Sequence, residues 1–389
     1  MKSSTYYLRL VTPAFLGSAN QQCEWRTPPV KALLRQWWRL LLFSWGNRQN
    51  KVPSVEELRQ REGHTFGHSW LDGSGDRKWF FRSPLRLVLS SWKSGTLSQL
   101  TGERKVYHPE VGGEGGALLY LGYGPLIYDK SRRGTVLKSA PVLEPGDAAR
   151  ATLFWPESAS DRMRNLVSAL MLVIHWFGAC GGRSRNGWGS LQVFDERGEP
   201  LSDLQALEAI GSLAVPLKVA IQHDWPCAIG KDDDGPLVWR VKKPFGTWQE
   251  AMEEIAKIKI EFRTSLPFTR NRDAAAPLVD KRHLLAYPVT NHGVLEWSET
   301  INGRPKLDRQ GRLKQIERLA NQLRFKVHRV QGSDGKDKFV PIAFHLPHRL
   351  PQKLLEKLGP ADQHWVRENE LGVWKKVHGV LDEKMARLA

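Results

Sequence analysis

The segment from Phe177 to Leu191, FGACGGRSRNGWGSL, combines residue types that could bind a phosphate backbone. Glycine has no Cβ atom, so a ligand can approach its amide group closely. Arg183 and Arg185 add planar guanidinium groups that match phosphate oxygens, and Trp188 offers a face for stacking a base. This glycine loop therefore predicts a cradle for single-stranded nucleic acid, formed by Gly181, Gly182, Arg183, Ser184, Arg185, Gly187, Trp188 and Gly189.

A structural role for the glycine loop is the alternative. The loop does not match the GxxxxGK[ST] pattern of a P-loop, and the segment before it reads as a helix rather than the strand that a dinucleotide fold requires. Glycines also allow a helix and a strand to pack closely, with solvated arginines beside them. The loop by itself favours neither interpretation.

A second group of cations lies early in the chain. Lys31, Arg35 and Arg39 are spaced four residues apart, so they share one face of a predicted helix that begins near Pro28. No acidic residue compensates them between Arg26 and Arg48, and uncompensated like charges at this spacing are unfavourable unless an anion is bound. We therefore predict that Arg26, Lys31, Arg35 and Arg39 bind nucleic acid; the alternative is an ordinary amphipathic helix with a solvated basic face.

Hydrophobic periodicity predicts the elements that position these residues. Strands and helices alternate in both halves of the chain, separated by turn-rich connections, which indicates an α+β fold. Trp37 and Trp38 are adjacent in the first helix, so we expect only Trp37 to point into the core. The main predicted elements are strands at 6–11, 79–92, 148–155 and 190–195, helices at 28–45, 161–177, 247–262 and 373–388, and a hairpin of strands 322–330 and 338–346.

The composition favours an intracellular protein with a polyanionic partner. The chain has 58 Lys and Arg residues against 41 Asp and Glu residues, a formal net charge of +17, and such a balance is typical of nucleic-acid-binding proteins. A basic surface that aids solubility or docks on acidic proteins is the alternative. There is no apolar run long enough to span a membrane, no cleavable signal pattern and no CxxC pair. We therefore expect a cytoplasmic location.

Three segments together resemble a known family. TPAFLGSA (12–19), PPVKALLRQWWR (28–39) and the glycine loop, in this order, are similar to the first subunits of Cmr complexes, RAMP-superfamily proteins of type III-B CRISPR effectors. The resemblance implies an α+β fold of two ferredoxin-like, RRM-like modules packed together, which we place at residues 1–199 and 200–389. It maps the family's basic helix onto Lys31, Arg35 and Arg39, and its glycine loop onto residues 178–189.

The resemblance also implies partners and a role. The family's subunit binds at one end of a multi-protein filament on CRISPR RNA, so the expected partners are the 3′ region of the guide RNA, single-stranded target RNA and other Cmr subunits. We expect a non-catalytic RNA-binding subunit in antiviral defence, without a cofactor, a metal or a membrane partner. Two alternatives remain: a metal-independent endoribonuclease of the RAMP type using His64 or His68, and a scaffold that contacts only proteins.

Other polar residues fit catalysis less well. His64 and His68 have HxxxH spacing, but the glycines beside them disfavour a helical metal site. For the remaining candidates we favour solvated turns or a strand end over chemistry. These candidates are Asp72 and Asp76, the acidic segment 231–236, and His345 with His348.

Overall fold

The structure is a computed structural model that describes residues 1–388 except 21, 70–79, 91, 140, 202–209, 269–278, 290–291, 302–303 and 310. Within these residues, no helix is long and apolar enough to cross a lipid bilayer. The helices are α1 (Thr27–Arg48), α2 (Val55–Phe66), α3 (Ala117–Gly122), α4 (Ser160–Phe177), α5 (Leu217–Ala220), α6 (Trp248–Thr264), α7 (Gln352–Leu355) and α8 (Pro360–Lys384).

The strands form two four-stranded sheets and four smaller ones among the described residues. In chain order they are β1 (Lys2–Leu10), β2 (Arg86–Leu89), β3 (Lys105–His108), β4 (Gly113–Gly116), β5 (Leu126–Asp129), β6 (Gly134–Leu137), β7 (Ala148–Trp155), β8 (Leu191–Phe194), β9 (Ala214–Pro216), β10 (Ile229–Asp232), β11 (Gly235–Pro236), β12 (Val238–Arg240), β13 (Thr300–Ile301), β14 (Arg304–Pro305), β15 (Leu323–Gln331), β16 (Asp337–His345) and β17 (Ala386–Arg387).

The first large sheet has the order β2-β7-β1-β8, with antiparallel neighbours. Together with α1 and α4 its strands follow one another along the chain as β1-α1-β2-β7-α4-β8, which is the ferredoxin-like arrangement. Alternation fixes the buried face: Tyr6, Leu8 and Leu10 are buried, whereas Tyr7 between them is exposed. Helix α4 packs on this sheet and leads directly into the glycine loop.

The second large sheet repeats that topology. Its order is β15-β16-β12-β17, again with antiparallel neighbours, and the chain runs β12-α6-β15-β16-α8-β17. The fold is therefore α+β with two ferredoxin-like modules, as expected. The boundary that we placed between residues 199 and 200 stays a prediction, because residues 202–209 lie outside those described.

Most predicted elements are confirmed, but their ends differ. The hairpin of β15 and β16 and the helix α6 lie where the periodicity placed them. The strand expected at 79–92 is confined to β2. Helix α8 begins at Pro360, thirteen residues before the predicted start at Val373. Proline is well tolerated in the first turn of a helix, so Pro360 can occupy this position.

Both tryptophans at the centre of α1 are buried, so the expectation that only Trp37 points into the core is wrong. Trp37 packs between Phe177 and Phe344, with ring centroids 5.6 and 6.1 Å away. Trp38 meets the edge of Phe66, at the end of α2, at 6.0 Å. Adjacent helical residues can both be buried here because α1 is covered from two sides, by the modules' shared core and by α2.

Candidate nucleic-acid interface

The first turn of α1 is held by backbone geometry rather than by a side-chain cap. Arg26 occupies the position before the helix with an extended backbone, and prolines occupy the first turn. The guanidinium group of Arg26 donates to the carbonyl oxygen of Gly17. This predicted binding residue therefore already has a partner in the segment that precedes α1, although the side chain remains partly exposed.

The cationic stripe of α1 is compensated by an acidic residue from the next helix. Arg35 Nε donates to Glu62 Oε1 at 2.5 Å, and Arg39 Nη2 donates to the same oxygen at 2.8 Å. Burial raises the pKa of the Glu62 carboxyl, but hydrogen bonds from Arg39 and Arg35 outweigh this and hold the pKa below its usual value. The expectation of an uncompensated stripe is wrong, because Glu62 lies 27 and 23 residues away in sequence.

The arginines keep exposed surface despite this pairing. The side chains of Arg35 and Arg39 are 35% and 44% exposed, whereas that of Glu62 is only 6% exposed. Lys31, one turn earlier, is half-buried, and burial followed by repulsion from Arg35 lowers its pKa. The buried carboxylate of Glu62 thus orients both guanidinium groups, and the other edges of these groups face solvent.

These groups line a cleft of about 380 Å³ between α1 and α2, here called the cationic cleft. Arg59, one turn before Glu62 in α2, also lines the cleft, and the half-buried indole of Trp225 forms another wall. Three guanidinium groups and one carboxylate leave the cleft with a net positive charge, beside an aromatic surface. Its lining is Arg35, Arg39, Val55, Leu58, Arg59, Glu62 and Trp225.

Three residues of the cationic cleft escaped the sequence analysis. Glu62 and Arg59 lie on α2, which carries a capping box at Ser54 and Glu57; from sequence, residues 53–75 read as a mostly polar loop with a possible short helix. Trp225 lies in a segment far along the chain, where it packs edge-on against Phe43 of α1 at 5.7 Å. No local pattern links Trp225 to α1, so only the fold reveals the cleft.

The backbone of the glycine loop uses several of its amides internally. Gly181 and Gly189 adopt φ values of +92° and +63°, which favour glycine. The amide of Gly182 donates to the carbonyl oxygen of Phe15, and that of Gly189 to Pro13, both at 2.9 Å. The expected shelf of free amides is therefore wrong for Gly182 and Gly189, because the segment after β1 takes up their hydrogen bonds.

Trp188 does not offer a stacking face. It is fully buried, and its ring lies 5.0 Å from Phe15 and 6.0 Å from Trp248. Gly187 beside it is also buried, with a φ of +90°. The predicted base-stacking role of Trp188 is wrong, because a large aromatic ring at the contact between the modules is stabilised by burial.

In the rest of the glycine loop, some residues are exposed and others are held by hydrogen bonds. The side chain of Arg183 is exposed, next to Arg318 and near Gly124. Arg185 is half-buried, its carbonyl oxygen accepts from the Phe325 amide at 2.9 Å, and burial lowers its pKa. The structural interpretation therefore holds for the second half of the loop. The residues still available to a ligand are Gly181, Gly182, Arg183 and Ser184.

A buried lysine fastens the loop to the second module. Lys259 Nζ donates to Asn186 Oδ1 at 2.7 Å, and Asn186 Nδ2 donates to the carbonyl oxygen of Leu121 at 2.8 Å. Burial, followed by repulsion from Arg263 and Arg183, lowers the pKa of Lys259 to about 7. Among the described residues, no hydrogen bond or ion pair joins this loop to Arg35 or Arg39, and the cationic cleft is lined by other residues.

The structure shows the neighbours of the residues considered as catalytic candidates. His64 is in the last turn of α2, which ends before Gly67, and its ring lies 6.4 Å from that of His68. His345 is fully buried and its ring nitrogens contact Gln322 at 3.2 Å and His378 at 3.0 Å. Asp72 and Asp76 lie outside the described residues.

The polar groups of the remaining candidates form ion pairs or hydrogen bonds with neighbouring residues. In the acidic segment 231–236, the carboxylate of Asp232 pairs with Arg387, with Nη2 3.0 Å from Oδ2. His348 is buried, its ring Nδ1 lies 2.8 Å from the carbonyl oxygen of Arg349, and its amide donates to Gln322 Oε1 at 2.9 Å. Among the described residues, no three His, Cys, Asp or Glu side chains are grouped as a metal would need.

The fold and these surfaces define an α+β protein of two ferredoxin-like modules with an exposed cationic cleft. Among solved structures, the chain is similar to the crystal structure of Cmr1 from Pyrococcus furiosus in its apo form, with a TM-score of 0.39 and 16% sequence identity. The similarity covers 89% of this chain and 88% of that one. No protein-family model matches the chain, and no curated protein is significantly similar to it.

Proposed function

We propose that this protein is a non-catalytic RNA-binding subunit of a type III-B CRISPR (Cmr) effector complex. In that role it binds the 3′ region of the guide RNA and helps to capture single-stranded target RNA in antiviral defence, beside other Cmr subunits in the cytoplasm. The observation that carries the proposal is the cationic cleft, where Arg35, Arg39 and Arg59 converge beside Trp225. The net charge of +17 and the segments that resemble the Cmr family support it.

The cationic cleft suits a sugar–phosphate chain with an adjacent base. Guanidinium groups donate to phosphate oxygens in a fixed fork geometry, and Glu62 orders two of them in advance, which reduces the entropy lost on binding. The indole of Trp225 adds an aromatic wall for a base, an interaction worth about 1–3 kcal/mol per base. Such contacts position RNA without reading its sequence, as a subunit acting on varied guides requires.

Arg183 of the glycine loop extends the proposed surface. Arg183 is an exposed residue beside Arg318, but its guanidinium group is partly desolvated; this desolvation, followed by repulsion from Arg318, lowers its pKa. A bound phosphate would relieve that repulsion. Arg185 is half-buried beside Arg324, so we assign it a structural part rather than a direct contact.

Anisotropy titrations of labelled single-stranded RNA over a salt series test the proposal. Binding should weaken steeply with salt, and Arg59→Ala and Arg183→Ala should each flatten the log–log slope by about 0.7 for each lost phosphate contact. These two arginines are preferred to Arg35 and Arg39, because removing either of those would take a partner from buried Glu62. Arg164→Ala, which removes an exposed arginine of α4, is the matched control and should retain the parent's slope.

Two results would contradict the proposal. Absence of RNA binding by the parent at low salt would favour a scaffold that contacts only proteins. Equal slopes for the parent, Arg59→Ala and Arg183→Ala would place the RNA elsewhere, if it binds.

The endoribonuclease alternative has one observation in its favour. His64 is exposed and lines a separate cleft of about 560 Å³, together with Arg61 and Arg162. A histidine beside two cations is an arrangement that general acid–base cleavage of RNA can use. Incubation with labelled RNA in a chelator, followed by a denaturing gel, should show intact RNA; cleavage that disappears in His64→Ala would replace our proposal with this one.

A further inference from the structure

The cleft of about 560 Å³ that contains His64 is lined by more apolar than polar residues. It lies between α1, the second half of α2 and the start of α4. The residues of α2 that line it differ from those that line the cationic cleft, so the two clefts open on different sides of this helix. We call it the apolar cleft. The residues that form its apolar lining are Trp38, Leu42, Trp45, Ala159, Met163 and Leu166.

Helix α1 is apolar on two faces, and only one of them is fully covered. The face that includes Leu34 and Leu41 is buried in the core. On the second face, Trp38, Leu42 and Trp45 follow one another at spacings of four and three residues, which places them in one stripe. A helix face that meets only water normally carries polar residues. The apolar lining residues that keep exposed surface are Leu42, Trp45, Ala159, Met163 and Leu166.

The rim of the apolar cleft is cationic. Arg61 of α2 and Arg162 of α4 line the cleft and are exposed. The neighbouring ion pairs use other arginines: Asp161 lies 3.9 Å from Arg164, and the pair within α2 involves Arg59. Among the described residues, neither Arg61 nor Arg162 pairs with a carboxylate, and no Asp or Glu lines the cleft. The cleft therefore combines an apolar surface with two positive charges that lack counter-charges.

These residue types match the centre of a protein–protein interface. Tryptophan, methionine and arginine are enriched at such centres, whereas aspartate, glutamate and lysine are depleted. A groove between helices typically takes an amphipathic helix by its apolar face, and complementary charge at the rim selects the partner. A nucleic-acid backbone fits less well, because phosphate oxygens beside Leu42 and Met163 would lose water without gaining hydrogen-bond donors. The two free guanidinium groups thus specify an acidic protein segment.

We propose that the apolar cleft docks an acidic amphipathic helix of a partner protein. Large apolar side chains of that helix, three or four residues apart, pack on Leu42, Met163 and Leu166. Aspartate or glutamate residues on its two flanks pair with Arg61 and Arg162. This inference goes beyond the proposed function and does not depend on RNA binding, because the cationic cleft lies on the other side of α2.

The test is fluorescence anisotropy of the full-length protein with three labelled helical peptides of about five turns. The first peptide carries leucine every three or four residues on one face and glutamate on both flanks. The second has lysine in place of the glutamates, and the third has alanine in place of the leucines. The first should bind on the order of tenfold more tightly than either of the others, because only the first offers both apolar contacts and complementary charge.

Matched variants separate docking in the apolar cleft from attraction to the net charge of +17. Arg162→Glu should weaken binding of the first peptide on the order of tenfold. Arg164→Glu changes the charge equally but lies outside the cleft lining, so it should change binding by less than about threefold. Met163→Gln replaces an apolar side chain with a polar one and should weaken binding about fivefold. All three variants should melt near the parent's temperature, because none of the side chains is fully buried.

Several results would overturn the inference. They are no binding of the first peptide, equal binding of the three peptides, and equal losses in Arg162→Glu and Arg164→Glu. Single-stranded RNA that displaces the first peptide and binds more weakly to Met163→Gln would make the cleft an RNA site and would also overturn it. RNA binding that depends on Arg59, without peptide docking, would contradict only this inference. Peptide docking by a protein that binds no RNA would contradict only the proposed function.

Discussion

The side-chain amine of Lys326, on β15 of the second module, donates a hydrogen bond to the carbonyl oxygen of Ile174, in the last turn of α4 in the first module, over 3.1 Å. The same nitrogen also donates to the carbonyl oxygen of His175. Lys326 is fully buried, and burial lowers its pKa far below the usual value. The last carbonyls of a helix lack intrahelical partners, so this lysine caps one module from the other.

Replacing this lysine tests how strongly the two modules depend on each other. Lys326→Met keeps the length and apolar stem but removes the donor to the carbonyl oxygen of His175 and one of two donors to that of Ile174, which also accepts from the Gly178 amide at 2.8 Å. The free energy of unfolding should therefore fall by about 1–3 kcal/mol. Lys130→Met, at an exposed turn, should change it by less than about 0.5 kcal/mol. Urea denaturation measures both, and equal values for the two variants would show that the contact contributes nothing.

Glu62 sets both the order and the charge of the cationic cleft. Glu62→Gln removes the negative charge but keeps an acceptor for Arg35 and Arg39, so RNA affinity should rise and its salt dependence should steepen by about 0.7 for each phosphate gained. The free energy of unfolding should fall by about 1 kcal/mol, a modest figure because both arginines are partly exposed.

The control for that variant lies outside α2. Glu196→Gln removes an equal charge from an exposed residue outside the cleft, whereas the Glu56 carboxylate lies 4.0 Å from Arg59 Nη1 and would itself affect the cleft. Glu196→Gln should leave the salt slope of RNA binding near the parent's. Weaker RNA binding by Glu62→Gln than by Glu196→Gln would show that Glu62 acts by positioning arginines and that its charge does not oppose the ligand.

Gly189 is the position where the glycine loop tolerates a side chain least. Its φ is +63°, and an added Cβ would lie 1.9 Å from the carbonyl oxygen of Cys180. Gly189→Ala should therefore cost about 3 kcal/mol or more in unfolding free energy. Gly198→Ala shares a positive φ of +83° but has open space, so it should cost only about 1 kcal/mol. Similar losses in urea denaturation would mean that the loop moves to accept the methyl group.

Acid should destabilise the fold through buried neutral histidines. Burial, as the main cause, lowers the pKa of His378 to about 4, while Arg387 acts in the same direction and Asp232 and Asp382 oppose it. His378 then binds a proton near pH 6.5 in the unfolded chain but only near pH 4 in the folded chain. Stability is therefore full above pH 6.5 and declines as the pH falls towards 4, by up to about 3 kcal/mol from this group.

The variant His378→Gln should remove that share of the pH dependence. Unfolding free energies measured at pH 7 and pH 4.5 should differ less in His378→Gln than in the parent. His364→Gln, an exposed residue on the same helix, should keep the parent's difference. His345 contacts His378 and also has a lowered pKa because of burial, so part of the acid sensitivity should persist. An unchanged difference in His378→Gln would contradict the assignment.

Local residue spacing was enough to predict most of the main elements and the α+β class. The stripe of apolar residues in α4 and the alternation in β1 follow local spacing, which backbone geometry converts directly into helix and strand. The capping box at Thr247 and Glu250 likewise marks the start of α6. Each of these signals lies within a few residues, so the repeated strand–helix order in both halves was readable before any packing was known.

Which polar and aromatic groups face solvent depends on how distant segments pack together. Trp188 is buried because the second module covers the glycine loop, and Arg35 meets Glu62 because α2 packs beside α1. Trp225 reaches the cationic cleft in the same way, because its segment packs against α1. Burial and ion pairing arise between segments far apart in the chain, and the spacing of residues along one segment does not encode which other segment will cover it.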